Sequence, residues 1–223
     1  MFDRASLAEQ VEEALRREIT EGRVRPDARV NIAEYGESWS VSSTPLRDAV
    51  RALEAQGFLR IEPRKGVFVA PMTRRSVREI FELRVALECM AVELATPRAP
   101  EAQIGAVLAA YRRLADGPAG RIEACSEAED MAIHDLAREQ CGNPRLQRLL
   151  SGQMDLVRWA QGVLVREAPR AYALALPEHI AIAEAMARRD AAGAVAAMRR
   201  HLENSRARLE ARLPEDIGAE GAA

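Results

Sequence analysis

The stretch that decides the fold is Val41-Ser42-Ser43-Thr44-Pro45-Leu46-Arg47-Asp48-Ala49-Val50-Arg51-Ala52-Leu53-Glu54-Ala55-Gln56-Gly57-Phe58-Leu59. Ser42 is a helix N-cap residue type, and Pro45 falls in the first turn, where backbone N–H groups have no helical partner. Leu46, Ala49, Val50 and Leu53 then recur at helical spacing, which predicts a helix that ends near Gln56-Gly57. Beyond Gly57 the period changes. Phe58 to Ile61 and Val67 to Val69 are short β-prone runs around Glu62-Pro63-Arg64-Lys65-Gly66, the pattern of a hairpin with a basic tip. Upstream, Leu7, Val11, Ala14, Leu15 and Ile19 share a helical face over Ser6 to Glu21, and Gly22 is a natural stop. After a loop over Val24 to Ala28, Asn31 with Glu34 three residues on fits a capping box that opens a short helix. The order is a helix-turn-helix with a wing.

The rest of the chain reads as helices. Of 223 residues 48% are apolar and only 4% aromatic, with Ala, Leu, Glu and Arg dominant. These residue types favour helix over sheet, so the expected class is mostly α, a winged helix-turn-helix followed by an all-α antiparallel bundle. The expected limits are 1–71 for the winged domain, 72–75 for a linker at Pro71, 76–213 for the bundle, and 214–223 for a disordered tail. Within the bundle, helices are predicted over 76–96, 102–114, 121–141, 146–165, 178–189 and 191–213. Ile80, Leu83, Leu87, Met90 and Leu94 form the apolar stripe of the first, expected to face inward.

Cys89, Cys125 and Cys141 include no CxxC pair, which excludes a disulfide framework and a cysteine zinc site. No run of 18 apolar residues exists and the N-terminal ten residues lack a signal-peptide core, so no membrane association and a cytoplasmic location are expected. With 32 basic and 34 acidic residues the formal charge is −2, which by itself gives no sign of a nucleic-acid partner. From Ser43 to Gly66, however, five basic residues face three acidic ones. The positive charge is local, which predicts weak non-specific DNA binding and reliance on a dimer with two half-sites.

The chain's three histidines, His134, His179 and His201, all fall on helix faces expected to be buried, and Asp130 precedes His134 by one helical turn. The spacing leaves two readings open: hydrogen-bonded core histidines, or a divalent-metal shell of three imidazoles and one carboxylate.

The motif from Val41 to Val50, then Leu53-Glu54-Ala55-Gln56-Gly57-Phe58-Leu59, then Arg64-Lys65-Gly66-Val67-Phe68-Val69, resembles the GntR family of bacterial transcription regulators. Two positions depart from the family pattern: Ser43 stands where an arginine is usual, and Tyr35-Gly36 where Leu-Ala is usual. Residues 76–213 resemble the FCD effector domain of the FadR-type branch, through Arg84-x-x-x-Glu88, Asp130-x-x-x-His134, Gly142-Asn143, Glu178-His179 and His201-Leu202.

The resemblance implies a DNA-binding regulator, a repressor by default, that acts as a homodimer on double-stranded operator DNA. Ser42, Ser43, Thr44, Arg47 and Arg51 on the reading helix, with Arg64, Lys65 and Gly66 on the wing, are the implied DNA contacts. It further implies one divalent metal ion per subunit on Asp130, His134, His179 and His201, with zinc first and then nickel, manganese or iron. A small organic acid would bind beside the metal. Arg84 is a candidate anchor for its carboxylate, or alternatively the partner of Glu88, and Asn204 and Arg158 are further candidate contacts. Two other functions remain as alternatives: a regulator for which the metal itself is the signal, and a His3Asp metalloenzyme activating water.

Overall fold

The computed structural model describes residues 6–118, 127–167 and 171–213. The described residues form two compact units, one within 1–72 together with 155–163, the other within 73–154 and from 164 on.

In the first unit, α1 (Leu7–Thr20) is opened by Ser6, whose hydroxyl accepts from Glu9 N while the Glu9 carboxylate accepts from Ser6 N. Its buried Val11, Leu15 and Ile19 pack against α3 (Ser43–Ala55), which buries Leu46, Ala49, Val50 and Leu53. Between them lie β1 (Arg29–Val30) and α2 (Ile32–Trp39). Asn31 caps α2 through Glu34 N, as expected, but the Glu34 carboxylate accepts from the Asn31 side-chain amide. Ser42 sits at the start of α3 but makes no side-chain cap bond. The hairpin is β2 (Leu59–Glu62) and β3 (Gly66–Val69), antiparallel, with Leu59 opposite Val69 and Glu62 opposite Gly66. β1 adds a third strand on the other side of β3, with Arg29 opposite Phe68. That strand, between the expected loop over Val24 to Ala28 and the Asn31 cap, was not foreseen, because two residues carry no periodicity to read. Phe58, fully buried, lies 5.9 Å from the Trp159 ring in the same unit.

Gly36 explains one departure from the family pattern. A Cβ at this position would stand 2.9 Å from Leu46 Cδ1 and 3.2 Å from Val41 O, so the glycine lets α2 lie close against α3.

The second unit is helical: α4 (Arg74–Ala95), α5 (Glu101–Ala115), α6 (Glu127–Gln140), α7 (Pro144–Glu167), α8 (Ala171–Ala187) and α9 (Ala191–Glu210). The middle of α7, 155–163, belongs with the first unit. Helix α4 packs on α9 and α6, and α8 packs on α9, α5 and α6. The expected start of α6 at Arg121 and the tail 214–223 lie outside the described residues, as does Cys125. Helix α8 begins at Ala171, seven residues before the expected Glu178, and carries Pro177 within it. The proline reads as a boundary in sequence, but a helix tolerates it at the loss of one backbone hydrogen bond.

The inward face of α4 also differs from expectation. Val77, Ile80, Phe81, Arg84, Glu88, Ala91, Val92 and Ala95 are buried, whereas Leu83 and Met90 are each 50% exposed and Leu87 and Leu94 are half-buried. The helix turns a charged pair inward and leaves much of its leucine stripe outward. Among the described residues no helix is long and apolar enough to cross a membrane.

Two glycine substitutions test the packing. Gly36→Val is expected to destabilise the protein by roughly 1–3 kcal/mol, since the added methyls have no room. Gly105→Ala, in α5 with nothing within 4 Å of the added Cβ, is expected to stabilise it by about 0.5–1 kcal/mol. Chemical denaturation measures both, and equal effects would contradict the packing described.

Candidate metal centre and nucleic-acid interface

Four helices deliver the side chains of the centre. Helix α4 supplies Arg84 and Glu88, α6 supplies Asp130 and His134, α8 supplies Glu178 and His179, and α9 supplies His201. Arg84, Glu88, Asp130, His134, His179 and His201 are all buried. Leaving so many polar groups away from water is costly unless each is paired.

The pairing is ordered. Glu88 accepts from Arg84 Nε at 2.6 Å and from His134 Nδ1. Glu178 accepts from His201 Nδ1 at 2.8 Å, from Asn204 Nδ2 at 2.7 Å, and from both Arg208 Nη atoms at 3.0 and 2.9 Å. A carboxylate on Nδ1 fixes the proton there, so His134 and His201 each turn an unprotonated Nε2 inward. His179 Nε2 lies 3.4 Å from His134 Nε2 and 3.3 Å from His201 Nε2. Tyr111 stacks on the His179 ring at 5.5 Å, and its hydroxyl accepts from Ile133 N at 3.0 Å.

The electrostatics keep His179 and His201 neutral. Burial pushes His179 well below its ordinary value, and His201 and His134 push it further the same way. Burial lowers His201 to about 4, against the raising effect of its bond to Glu178. Burial alone would raise both carboxyls. The Arg84 guanidinium and then His134 outweigh it at Glu88, holding that group below the carboxylate range. Hydrogen bonds from His201, Arg208 and Asn204 outweigh it at Glu178, which falls to about 2.

The three Nε2 atoms meet too closely for each to carry a hydrogen. The donor set instead suits a cation. Nitrogens bound to zinc at about 2.0–2.1 Å and at the tetrahedral angle stand roughly 3.3–3.4 Å apart. The three histidines are the group whose ligand atoms all lie within 4.8 Å of one another. Asp130 stands beside that group, with Oδ1 3.7 Å from His179 Nδ1.

The other candidate residues divide. Arg84 is the partner of Glu88 through Nε, the alternative weighed for it, while Nη1 and Nη2 are buried with no hydrogen-bond partner. Asn204 is turned to Glu178. Arg158 donates to Asp155 at 3.1 Å and belongs to the segment that goes with the first unit. Glu88 and Glu178 were not foreseen as histidine partners. Glu88 looked like the i+4 partner of Arg84, and nothing in sequence ties Glu178 to a histidine 23 residues on.

On the first unit, Ser42, Ser43, Thr44, Arg47 and Arg51 are exposed along the start and outer face of α3. At the wing tip Arg64 has a positive φ of 65° and Gly66 one of 122°, a value that favours glycine. Lys65 is engaged with Glu62 at 3.3 Å.

Comparison with known proteins gives a consistent result. Residues 79–204 match the FCD domain, and residues 7–69 match the bacterial regulatory proteins of the gntR family. The chain is similar to the HTH-type transcriptional regulator BphR of Paraburkholderia xenovorans, 26% identical over 210 residues that cover 90% of this chain and 84% of that one. It is also similar to the HTH-type transcriptional repressor GlaR of Escherichia coli, 26% identical over 200 residues, 84% of this chain and 89% of that one. A 36% identical match to the regulator YdhC of Bacillus subtilis spans 90 residues, 40% of each chain. Among solved structures, a GntR regulator from a Rhodococcus species shares the fold with a TM-score of 0.76 at 22% identity, over 94% of this chain and 100% of that one.

The depressed imidazoles predict a pH dependence. In chelator-treated protein, the unfolded chain takes up protons on His179 and His201 below the ordinary 6.5, while folded His201 resists down to about 4. The unfolded state binds more protons in that window, so stability falls as pH falls through it. The depressed carboxyls add a loss of the same sign below 4.5. Thermal melts from pH 7.5 to 4.5 are expected to show a steady decline in Tm; a flat profile would contradict the buried neutral imidazoles.

Proposed function

The chain belongs to the gntR family of bacterial regulatory proteins, with an FCD domain behind its winged helix-turn-helix, and we propose that it is a repressor whose hold on operator DNA is set by a small organic acid at a divalent metal ion. It is a transcription regulator and not an enzyme, which sets the metalloenzyme reading aside. The observation that carries the metal reading is the convergence of three Nε2 atoms in a buried site, two of them aimed by carboxylates on Nδ1.

His134, His179 and His201 hold the ion, with Asp130 as the fourth, carboxylate ligand, and zinc is the first choice ahead of nickel, manganese and iron. A bound divalent ion supplies open positions for an anionic oxygen. Glu88 is balanced by Arg84, and Glu178 by Arg208, so the ion with Asp130 leaves a net positive centre. Arg84, with two unpartnered Nη groups, takes the acid's carboxylate. The reading helix meets the major groove through Ser43, Thr44 and Arg47, with Arg51 and Arg64 on the backbone. The regulator works in the cytoplasm as a homodimer. The outward Leu83 and Met90, two turns apart on α4, support a surface for the second copy. Acid binding need alter DNA affinity by only about 1–3 kcal/mol to act as a switch.

The test uses the purified protein with a duplex from the promoter beside its own gene. His134→Ala and His179→Ala are expected to lose bound metal by elemental analysis and to lose any response of DNA affinity to short mono-, di- and tricarboxylates. Arg84→Lys keeps the charge beside Glu88 but not the planar fork, and is expected to retain metal while its response needs over tenfold more acid. Stoichiometric metal in both histidine variants would overturn the site. A response to metal in the absence of any acid would instead favour the ion as the signal.

A further inference from the structure

The wing sheet carries more cations than its tip, and they are not equivalent. Arg29 on β1 and Arg60 on β2 both stand opposite Phe68, so the two arginines flank one phenylalanine on a single face of the sheet. Arg60 lies over the Phe68 ring at 4.9 Å, but it is also held by Asp27 at 3.0 Å and by Glu62. Lys65 is held by the same Glu62. Both acids on this side are therefore already occupied.

Arg29 is different. It is exposed, and among the described residues its guanidinium makes no ion pair and no hydrogen bond. Its guanidinium lies against the Cα of Gly66: a Cβ there would stand 3.1 Å from Arg29 Nε and 3.5 Å from Nη2. A side chain at position 66 would crowd the guanidinium by a few tenths of an ångström. Beside it an open groove of about 600 Å³ runs between Gly66 and Val67 of the wing and Asn31 and Ile32 at the start of α2. Glu34, the nearest acid on α2, is turned to the Asn31 amide.

We propose that Arg29, in place of Lys65 and beside Arg64 at the tip, is a phosphate anchor of the wing, with a backbone phosphate of the operator duplex seated in the groove against Arg29 and Gly66. The proposal rests on the DNA-binding reading above and names the contact by its chemistry. A lone guanidinium already freed of protein carboxylates binds a phosphate without first breaking an ion pair, whereas Lys65 and Arg60 each have one to break. The contact positions the duplex and reads no base.

The experiment measures DNA affinity against salt for wild type, Arg29→Gln, Arg29→Lys and Lys65→Gln. Each is tested on the promoter duplex and on an unrelated duplex of the same length, after thermal melts show the variants folded. Arg29→Gln is expected to reduce the slope of log K against log salt by about 1 on both duplexes. Arg29→Lys restores that slope, and Lys65→Gln changes it by much less. An unchanged slope in Arg29→Gln, or a loss confined to one duplex, overturns the anchor while leaving the regulator reading in place. Wild-type protein that binds neither duplex overturns the regulator reading itself.

Discussion

Imidazole nitrogens with inward lone pairs, buried with His179 Nε2 within 3.4 Å of both others, repel unless something positive lies among them. That constraint organises the second unit. It explains why α4 carries a salt-bridged arginine and glutamate into the core, where side chains are ordinarily apolar. It also explains why Glu178 gathers His201, Asn204 and Arg208 around one carboxylate. Neither carboxylate is needed for packing. Each takes an Nδ1 proton and so decides which nitrogen of its histidine faces inward. Tyr111 does the corresponding steric work for His179, with its ring on the imidazole and its hydroxyl on the backbone of α6.

Helix α4 shows the consequence for the rest of the surface. A helix of this length has one broad face to bury. Here that face is used for Arg84 and Glu88 together with small and medium apolar residues, and Leu83 and Met90 are left in water. An isolated chain gains nothing from that arrangement. In the homodimer proposed above, the second copy covers that stripe while the charged pair stays at the site.

The winged fold was legible because Gly57 and Gly66 punctuate it and because the α3 pattern of Leu46, Ala49, Val50 and Leu53 is unbroken. β1 was not, since two residues cannot show alternation. The bundle was legible as helices, but Pro177 hid the first turns of α8, and the α4 stripe pointed to the wrong face. The second failure arose because periodicity reports where apolar residues are, whereas α4 spends part of its inner face on Arg84 and Glu88. The histidines were found because the chain has only three. Their carboxylate partners were not, because the pairs join helices whose approach no local pattern encodes. Gly36 was visible as an oddity in the family pattern, and its reason, the closeness of Leu46 and the Val41 carbonyl, needed the structure.

The account stands on a divalent ion held by the three inward nitrogens. The most direct measurement is anomalous scattering from crystals grown with zinc, recorded on both sides of its absorption edge. The account predicts one strong peak per chain within about 2.0–2.1 Å of Nε2 of His134, His179 and His201, with Nδ1 of His134 and His201 still on Glu88 and Glu178. Well-ordered imidazoles with no peak among them, or a peak bound only at surface residues, would contradict it.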